Sequence, residues 1–327
     1  MRKMFCLAVV LLLICATVAP SGAAVLVAFS QGDNGNSWRA TNTNDMEVWA
    51  KKKGYDYIWA DGKGDPSKQL SDIQDLLSRK PSILIVAPVQ AEAVTPAAEL
   101  ANKAGIPLVT IDRKINATVG EGTYKACIIQ DFTEVGRICA RYMVESLTKQ
   151  FGEPKGRVLE IQGTIGSSPT IDEAAGVREI LAQYPNIKII DSQSGGDMRA
   201  PARAVMDDFL NKYPAGSVDF LFSFQDDMTI GALQAMRDAG RLELLGHIVS
   251  KDGMRDGIKE VIDGNVLVSP QVPPYFGEAT LDLVEKILTG KPYDTTVNVP
   301  FKVFDMQGNK EMTTKYYEEL LKSGLFF

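Results

Sequence analysis

An acidic and a basic residue, Asp112 and Arg113, stand side by side directly after an apolar run at 108–111. A carboxylate accepts hydrogen bonds from hydroxyl groups, and a planar guanidinium donates several of them in a fixed fork. Such charge-assisted hydrogen bonds contribute about 1.5–3 kcal/mol each. The pair therefore fits a binding site for a polyhydroxylated molecule. It also fits a simple structural ion pair, and the spacing alone does not separate these two interpretations.

Other apolar runs also end in polar side chains. Asp252 and Gln271 each follow such a run, although either one alone fits a turn. Trp38 lies between the polar residues Ser37 and Arg39. Its ring could stack on the C–H face of a sugar, and the alternative is a core aromatic of the first helix. Together these side chains predict hydrogen bonding to a neutral polyol.

Sequence motifs of common enzymes are absent. There is no phosphate-binding Gly-x-x-x-x-Gly-Lys-Ser/Thr loop, no dinucleotide motif after the first strand and no Gly-x-Ser-x-Gly elbow. The single histidine, His247, stands at a strand start and is interpreted as structural. One carboxylate of Asp226-Asp227 is expected to cap the following helix. We therefore predict no catalytic residue, no cofactor and no metal site.

The chain begins with the pattern of a secretory signal. Arg2 and Lys3 precede an apolar run at 4–19, and small residues follow up to Ala23. The alternative is an uncleaved membrane anchor, but the run is shorter than the roughly 20 residues that a spanning helix needs. We predict a signal peptide at 1–23, cleaved near Ala23. An exported protein can carry a disulfide, so a bridge between the remaining cysteines, Cys127 and Cys139, is possible but not implied.

Composition narrows the choice of partner. The 327 residues are 45% hydrophobic and 23% charged, which is an ordinary globular balance. Acidic residues outnumber basic ones, 41 to 35, for a net charge of −6. Nucleic acids and anionic membranes require a basic face, so neither is expected as a partner.

Strand-like and helix-like segments alternate along the rest of the chain. The strand-like runs are apolar on both faces, which is typical of parallel strands covered by helices. We predict an α/β fold with two doubly wound, Rossmann-like lobes. The predicted strands lie at 25–31, 55–61, 83–87, 108–112 and 125–130, then at 157–162, 187–192, 219–223, 247–252 and 265–271.

The polar strand ends, taken in order, resemble the periplasmic sugar-binding proteins of bacterial ABC importers, of the ribose/galactose type. Asp112-Arg113 looks like the Asp-Arg ligand pair of that family, and 161–168 looks like its second-lobe loop. The segment 225–235 is similar to its Asn-Asp-(Asp/Glu)-Met…Gly-Ala segment. Within the family, the pattern is closest to the galactofuranose-binding receptors. That likeness is carried by Phe29-Ser30-Gln31, Trp38-Arg39, Ala60-Asp61-Gly62, Ala87-Pro88-Val89 and Ser192-Gln193-Ser194-Gly195.

Three departures from the family pattern affect the ligand. Gln225 replaces an asparagine, an expected aromatic is replaced near Asp197, and the basic residue of the second-lobe loop is missing from 171–173. We therefore expect a modified sugar or polyol, with galactofuranose one candidate, and the added acidity leaves an amino-bearing ligand open. The resemblance implies the ligand-binding set Ser37, Trp38, Arg39, Asp112, Arg113, Ser168, Asp197, Gln225, Asp252 and Gln271.

The resemblance also implies the type I periplasmic binding protein architecture, with two lobes joined by three hinge strands. The N-terminal lobe would hold 24–130 plus 272–300, and the C-terminal lobe 131–271 plus 301–327. The expected protein is a monomer in the periplasm. It captures a sugar in the cleft between the lobes and delivers it to an ABC permease in the inner membrane.

Other functions remain open from the sequence. The same fold could present sugar to a chemoreceptor or sensor kinase, and the sequence does not separate this from transport. A sugar-responsive transcription regulator would need an N-terminal helix-turn-helix, where this chain has the signal-like segment. A secreted carbohydrate-active enzyme is the third alternative.

Overall fold

Two six-stranded sheets organise the protein, whose computed structural model describes residues 24–327. All neighbouring strands are parallel except β12, which runs antiparallel to β10. The first sheet has the order β11-β5-β4-β3-β1-β2, with β1 Leu26–Gln31, β2 Asp56–Asp61, β3 Ile83–Ala87, β4 Leu108–Ile111, β5 Tyr124–Ile129 and β11 Thr296–Asn298. The second has the order β12-β10-β9-β8-β6-β7, with β6 Gly156–Gln162, β7 Ile187–Ser194, β8 Phe220–Ser223, β9 Ile248–Val249, β10 Val268–Pro270 and β12 Val303–Asp305.

Ten helices alternate with these strands in the described part of the chain. The predicted α/β fold with two mostly parallel lobes is confirmed. The short elements β11 and β12 and the last helix were not predicted. The helices are α1 Ser37–Lys52, α2 Pro66–Ser78, α3 Pro96–Ala104, α4 Phe132–Phe151, α5 Ser168–Leu181, α6 Arg199–Lys212, α7 Asp226–Asp238, α8 Arg255–Ile262, α9 Gly277–Thr289 and α10 Lys310–Ser323.

Local sequence explains where several helices begin. The side chains of Asn36, Asp65, Asp131 and Ser167 each accept a hydrogen bond from a backbone N–H in the first turn of the helix that follows. The expectation of an acidic cap on α7 is wrong. Gln225 occupies the capping position and makes no side-chain capping bond. The two carboxylates of Asp226-Asp227 lie inside the first turn and accept hydrogen bonds from other segments.

The chain passes three times between the two sheets. It leaves the first sheet after β5, returns between β10 and α9, and crosses again between β11 and β12. Helix α9 packs on α1, whereas α10 packs on α8 and β12. Each half of the molecule therefore has its own hydrophobic core, and three short segments connect the halves. Such connections suit a hinge.

Two glycines allow α4 and α5 to cross closely. A Cβ atom on Gly136 would lie 2.2 Å from the carbonyl oxygen of Glu173, and one on Gly176 would lie 2.1 Å from that of Thr133. Neither contact is possible without displacing a helix. The crossing therefore fixes the position of the first turn of α5 within the second half of the molecule.

We expect Gly176→Ala to destabilise the protein by about 1–3 kcal/mol, because the added methyl group forces the two helices apart. At an ordinary helical position the same change stabilises by about 0.4–1 kcal/mol. Urea unfolding measures the sign directly. Ala175→Ser, on the exposed side of the same helix, is the matched control. A stabilised Gly176→Ala variant would contradict the close crossing.

Several residues that the sequence singled out have structural roles. Cys127 and Cys139 are buried free thiols, so the possible disulfide is not formed. His247 shares a hydrogen bond of 3.1 Å with Ser146 through its Nδ1 atom, as a structural histidine does. Within residues 24–327, no helix is long and apolar enough to cross a membrane. The predicted signal segment lies outside the described residues.

Candidate functional site

The carboxyl ends of the two sheets face each other across a small cavity. The cavity volume is about 30 Å³, whereas small-molecule pockets generally enclose about 300–1,000 Å³. A ligand the size of a monosaccharide therefore enters only when the two halves lie further apart. Of the residues predicted to bind ligand, the cavity wall contains Trp38, Arg39, Asp112, Arg113, Asp197, Gln225 and Asp252.

The other predicted contacts lie just outside this wall, with their side chains engaged elsewhere. Ser37 donates a hydrogen bond of 3.0 Å to Asp227. Ser168 accepts one of 2.8 Å from the backbone N–H of Lys114. Gln271 donates one of 3.3 Å to the hydroxyl of Tyr316. The first two bonds join the lobes, so these serines hold the closed arrangement instead of facing the cavity.

Buried charges form a continuous chain across the cavity. Arg39 donates to Asp112 at 2.7 Å, and Arg113 lies 3.6 Å from the same carboxylate. Arg113 also donates to Asp197 of the opposite lobe at 2.8 Å and to the Val89 carbonyl at 2.9 Å. Desolvation opposes ionisation of Asp197, but nearby cations, Arg113 first, hold its pKa below the ordinary value. An ion pair thus joins the two lobes at the ligand cavity.

Further hydrogen bonds close the rim between the lobes. The Asn36 side chain donates to the backbone carbonyl of Asp197 at 2.9 Å. The backbone N–H of Ala91 donates to the carbonyl of Gly166 at 2.8 Å, beside an ion pair of 2.5 Å between Lys114 and Asp172. These contacts identify the arrangement as a closed one.

Backbone strain is concentrated in this site. Among non-glycine residues at 24–327, positive φ angles occur at five positions, and three of these bear cavity carboxylates: Asp112 (61°), Asp197 (60°) and Asp252 (116°). Such conformations cost of order 1–3 kcal/mol each and persist where the surrounding structure enforces them. The surrounding structure therefore holds these three residues in strained backbone conformations, and all three line the cavity.

Trp38 belongs to both the core and the cavity wall. Its indole N–H donates to the Val272 carbonyl at 2.5 Å, and its ring meets the edge of Phe276 at 6.0 Å. The guanidinium of Arg39 lies 4.6 Å from the ring centre. The two interpretations of Trp38 are therefore compatible, because one edge of the ring is anchored while the rest faces the site.

We expect Trp38→Phe to weaken ligand binding and to remove most of the ligand-induced change in fluorescence. The reason is that Trp38 alone among the three tryptophans lines the cavity, whereas Trp59 is 40% exposed and Trp49 packs beside Gly277. Fluorescence titration tests this, with Trp59→Phe as the matched control. An unchanged signal in Trp38→Phe would contradict a position at the ligand.

The opposite lobe supplies wall residues that sequence reasoning missed. Phe132 and Phe224 provide aromatic surface there, so the aromatic expected near Asp197 is replaced from other positions. Lys251 supplies a cation, although the second-lobe loop has none. A charged residue at the end of an apolar strand was a visible signal for Lys251. The remaining residues missed are Asn36, Pro169, Thr170 and Val272.

Gln225 presents an unused acceptor to the site. Its Oε1 atom is buried and has no hydrogen-bond partner among the described residues. A buried acceptor without a partner costs about 1–3 kcal/mol. A ligand hydroxyl that reaches this oxygen would recover that cost. The extra methylene relative to the expected asparagine thus places the amide where a ligand can meet it.

Known proteins are similar to this chain in sequence and in fold. A model of the periplasmic binding protein domain matches residues 27–292. The galactofuranose-binding protein YtfQ of Escherichia coli is 32% identical over 81% of this chain and 82% of its own length. The ribose import binding protein RbsB of Escherichia coli is 31% identical over 78% and 81%. The arabinose transporter binding protein of Shewanella sp. ANA-3, solved with α- and β-L-arabinofuranose, superposes with a TM-score of 0.81 at 30% identity, covering 92% of this chain and 97% of that one.

The architecture is that of the two-lobed solute receptors: two lobes, a polar cavity between them and three connecting segments. The chain belongs to the periplasmic binding protein family. The predicted resemblance to sugar-binding receptors of ABC importers is therefore confirmed, as is the prediction of a receptor that serves sugar import. The matched relatives are binding proteins, and the family places the protein in the periplasm.

Proposed function

We propose that this protein captures a neutral monosaccharide, in its furanose form, and delivers it to an ABC permease of the inner membrane. The observation that carries this is the buried chain of charges from Arg39 through Asp112 and Arg113 to Asp197. Its donors and acceptors suit sugar hydroxyls and ring oxygen. The furanose form is proposed because two of the relatives described above are named for furanose ligands or were solved with them.

Lobe closure supplies the mechanism of capture. In an open form, Arg113 and Asp197 separate and the cavity admits ligand. A bound sugar contacts both lobes, so it stabilises the closed form and shifts the population towards it. The permease then recognises the spacing of the lobe tips. The moving bodies would be 24–130 plus 272–300 and 131–271 plus 301–327.

The ligand is released unchanged. The carboxylates Asp112 and Asp197 are both engaged by arginines, so neither is a free carboxyl group of the kind that glycoside hydrolysis requires. We expect no product when the protein is incubated with its sugar for a day, and chromatography of the recovered sugar tests this. A new product would favour the alternative of a secreted enzyme.

We further propose that the exported protein begins near Ala24 and acts as a monomer. Mass spectrometry of protein recovered from the periplasm tests the cleavage site, and light scattering after gel filtration tests the oligomeric state. A role in signalling is less favoured, because the relatives named above are importer components. Co-purification with a permease, rather than with a chemoreceptor or sensor kinase, would support transport.

Isothermal titration of the ligand-free protein with L-arabinose, D-galactose and D-ribose tests the proposed function. We expect one-to-one binding of at least one of these sugars. A folded protein that binds none of them, nor any sugar in a wider neutral panel, would contradict the proposal.

A further inference from the structure

Lys251 is a buried cation that faces the cavity without a hydrogen bond. The residue is 6% exposed, and its Nζ atom lies 3.6 Å from Glu173 and 3.6 Å from Asp252, beyond hydrogen-bond distance. No other side chain among residues 24–327 forms a hydrogen bond with this ammonium group. It sits 5.9 Å from the ring centre of Phe132. A buried ammonium with three donors is thus directed at the space where ligand binds.

Glu173 is the second unsatisfied group. It is 1% exposed, and neither carboxyl oxygen has a hydrogen-bond partner among the described residues. It projects from the first turns of α5, the segment in which the expected basic residue is missing. A carboxyl group thus stands in the segment where a basic residue was expected, and the cation comes instead from Lys251, just after β9.

The charges around the cavity decide which ligands fit. Desolvation raises the pKa of Glu173 to about 8, so this carboxyl group holds its proton at neutral pH. Desolvation also raises the pKa of Asp252. The cavity wall carries three cations, Arg39, Arg113 and Lys251, against three carboxyl groups, Asp112, Asp197 and Asp252, so no net negative charge is left to attract an ammonium group. The titratable groups around Lys251 are Asp112, Cys139, Glu173, Asp197, Asp226 and Asp252, and the cations Arg39 and Arg113 line the same cavity.

We propose that Lys251 is a specificity-determining residue: it donates to an oxygen of the bound sugar, with Glu173 behind it, and it excludes ligands that carry an ammonium group. This inference rests on the proposed function and names the residue that excludes amino sugars from its ligand class. The acidity of Asp197 and Glu173 left amino-bearing ligands open from the sequence. Lys251 argues against such ligands, because an ammonium group in the same cavity would meet a like charge at short range.

The proposal gives Lys251 two separable roles. As a donor, it contributes a charge-assisted hydrogen bond to any sugar with an acceptor at that position. As a positive charge, it discriminates among ligands of the same shape. A methionine at this position keeps most of the side-chain volume and loses both roles. An arginine keeps the charge.

Three sugars that differ mainly in charge test the proposal: D-galactose, D-galactosamine and D-galacturonate, titrated against wild type, Lys251→Met and Lys251→Arg. For wild type we expect galactose to bind at least tenfold more tightly than galactosamine, and galacturonate, which Lys251 does not repel, to lose less affinity than galactosamine. In Lys251→Met we expect galactose binding to fall at least tenfold, and the preference over galactosamine to fall at least tenfold as well. Lys251→Arg should keep that preference. Lys259→Met, an exposed lysine of α8, is the matched control and should behave as wild type.

Other outcomes overturn the proposal in distinguishable ways. A folded Lys251→Met variant with unchanged preference would overturn the role of Lys251 while leaving sugar binding intact. Wild type that prefers galactosamine would overturn the exclusion of amino sugars, and wild type that prefers galacturonate would overturn the neutral ligand class of the proposed function. Wild type that binds no sugar of this set or of the wider neutral panel would overturn the proposed function itself. If Lys251→Met fails to fold, Lys251→Gln gives the same comparison.

Discussion

Arg113→Ala is expected to lower sugar affinity at least tenfold while leaving the melting temperature of the ligand-free protein nearly unchanged. Arg113 is buried between Asp112 of its own lobe and Asp197 of the other. Removing it deletes the donors that we propose for the ligand and also the ion pair that joins the lobes. Charge-assisted bonds of this kind contribute about 1.5–3 kcal/mol each. In the open protein, water can solvate Asp197, so folding loses little.

Calorimetric titration and thermal unfolding of the same samples measure both quantities. Arg203→Ala is the matched control, because that arginine pairs with Asp238 on the surface and is not part of the cavity wall. Unfolding of the Arg113→Ala variant would show that the pair with Asp112 is mainly structural. Unchanged affinity would remove Arg113 from the site.

Asp226→Ala is expected to destabilise the second lobe by about 2–5 kcal/mol. This carboxylate is fully buried and accepts hydrogen bonds from Ser250 at 2.5 Å, from Ser269 at 3.1 Å and from the backbone N–H of Met254 at 2.8 Å. Alanine would leave the Met254 N–H and the Ser269 hydroxyl without this acceptor, and Ser250 with Thr229 as its remaining side-chain partner. Because the same bonds hold the segment that carries Lys251, sugar affinity should fall as well. Urea unfolding measures the loss of stability.

Asp226→Asn is the matched control, since the amide oxygen can still accept from two donors, and we expect a smaller loss. Desolvation raises the pKa of Asp226 to about 7 in the folded protein, from an ordinary value of 3.8. The folded state therefore holds this proton more tightly than the unfolded state. The stability that the protonated Asp226 side chain contributes to the folded state is fully present below about pH 4, and it is lost as the pH rises towards 7. Asp226→Asn should weaken this dependence of stability on pH. An Asp226→Ala variant as stable as wild type would contradict the structural role of these hydrogen bonds.

The fold was predictable from the sequence because most of its strands are continuous apolar runs. Ile83–Ala87, for example, is buried at every residue, as is typical of a parallel strand covered by helices. The three-residue strands Thr296–Asn298 and Val303–Asp305 lack such a run. Each is formed by pairing with a strand distant in the chain, so no local pattern marks it. The sheets consequently have six strands each instead of the predicted five.

Site residues were predictable where a charged or polar side chain directly follows a buried strand. Asp112 and Arg113 follow a buried strand directly, and both reach the cavity. Phe132 was missed because an aromatic at the start of a helix looks like core, and its exposure to the cavity depends on how the lobes face each other. Ser168 was expected to contact ligand but lies outside the wall, because lobe closure places its hydroxyl against the backbone of Lys114. Such contacts between lobes have no local sequence signal.

A thermal-shift screen tests the central claim most directly. The exported protein would be unfolded in guanidinium chloride and refolded to free it of ligand, then screened against L-arabinose, D-galactose, D-ribose, amino sugars and inositols. A ligand at about 1,000 times its dissociation constant stabilises by about 4.1 kcal/mol. We predict a shift of several degrees with at least one uncharged sugar, and a clearly smaller shift in Arg113→Ala at the same sugar concentration. A folded wild-type protein that shows no shift with any sugar, or an Arg113→Ala variant that shifts equally, would contradict capture of a sugar in this cavity.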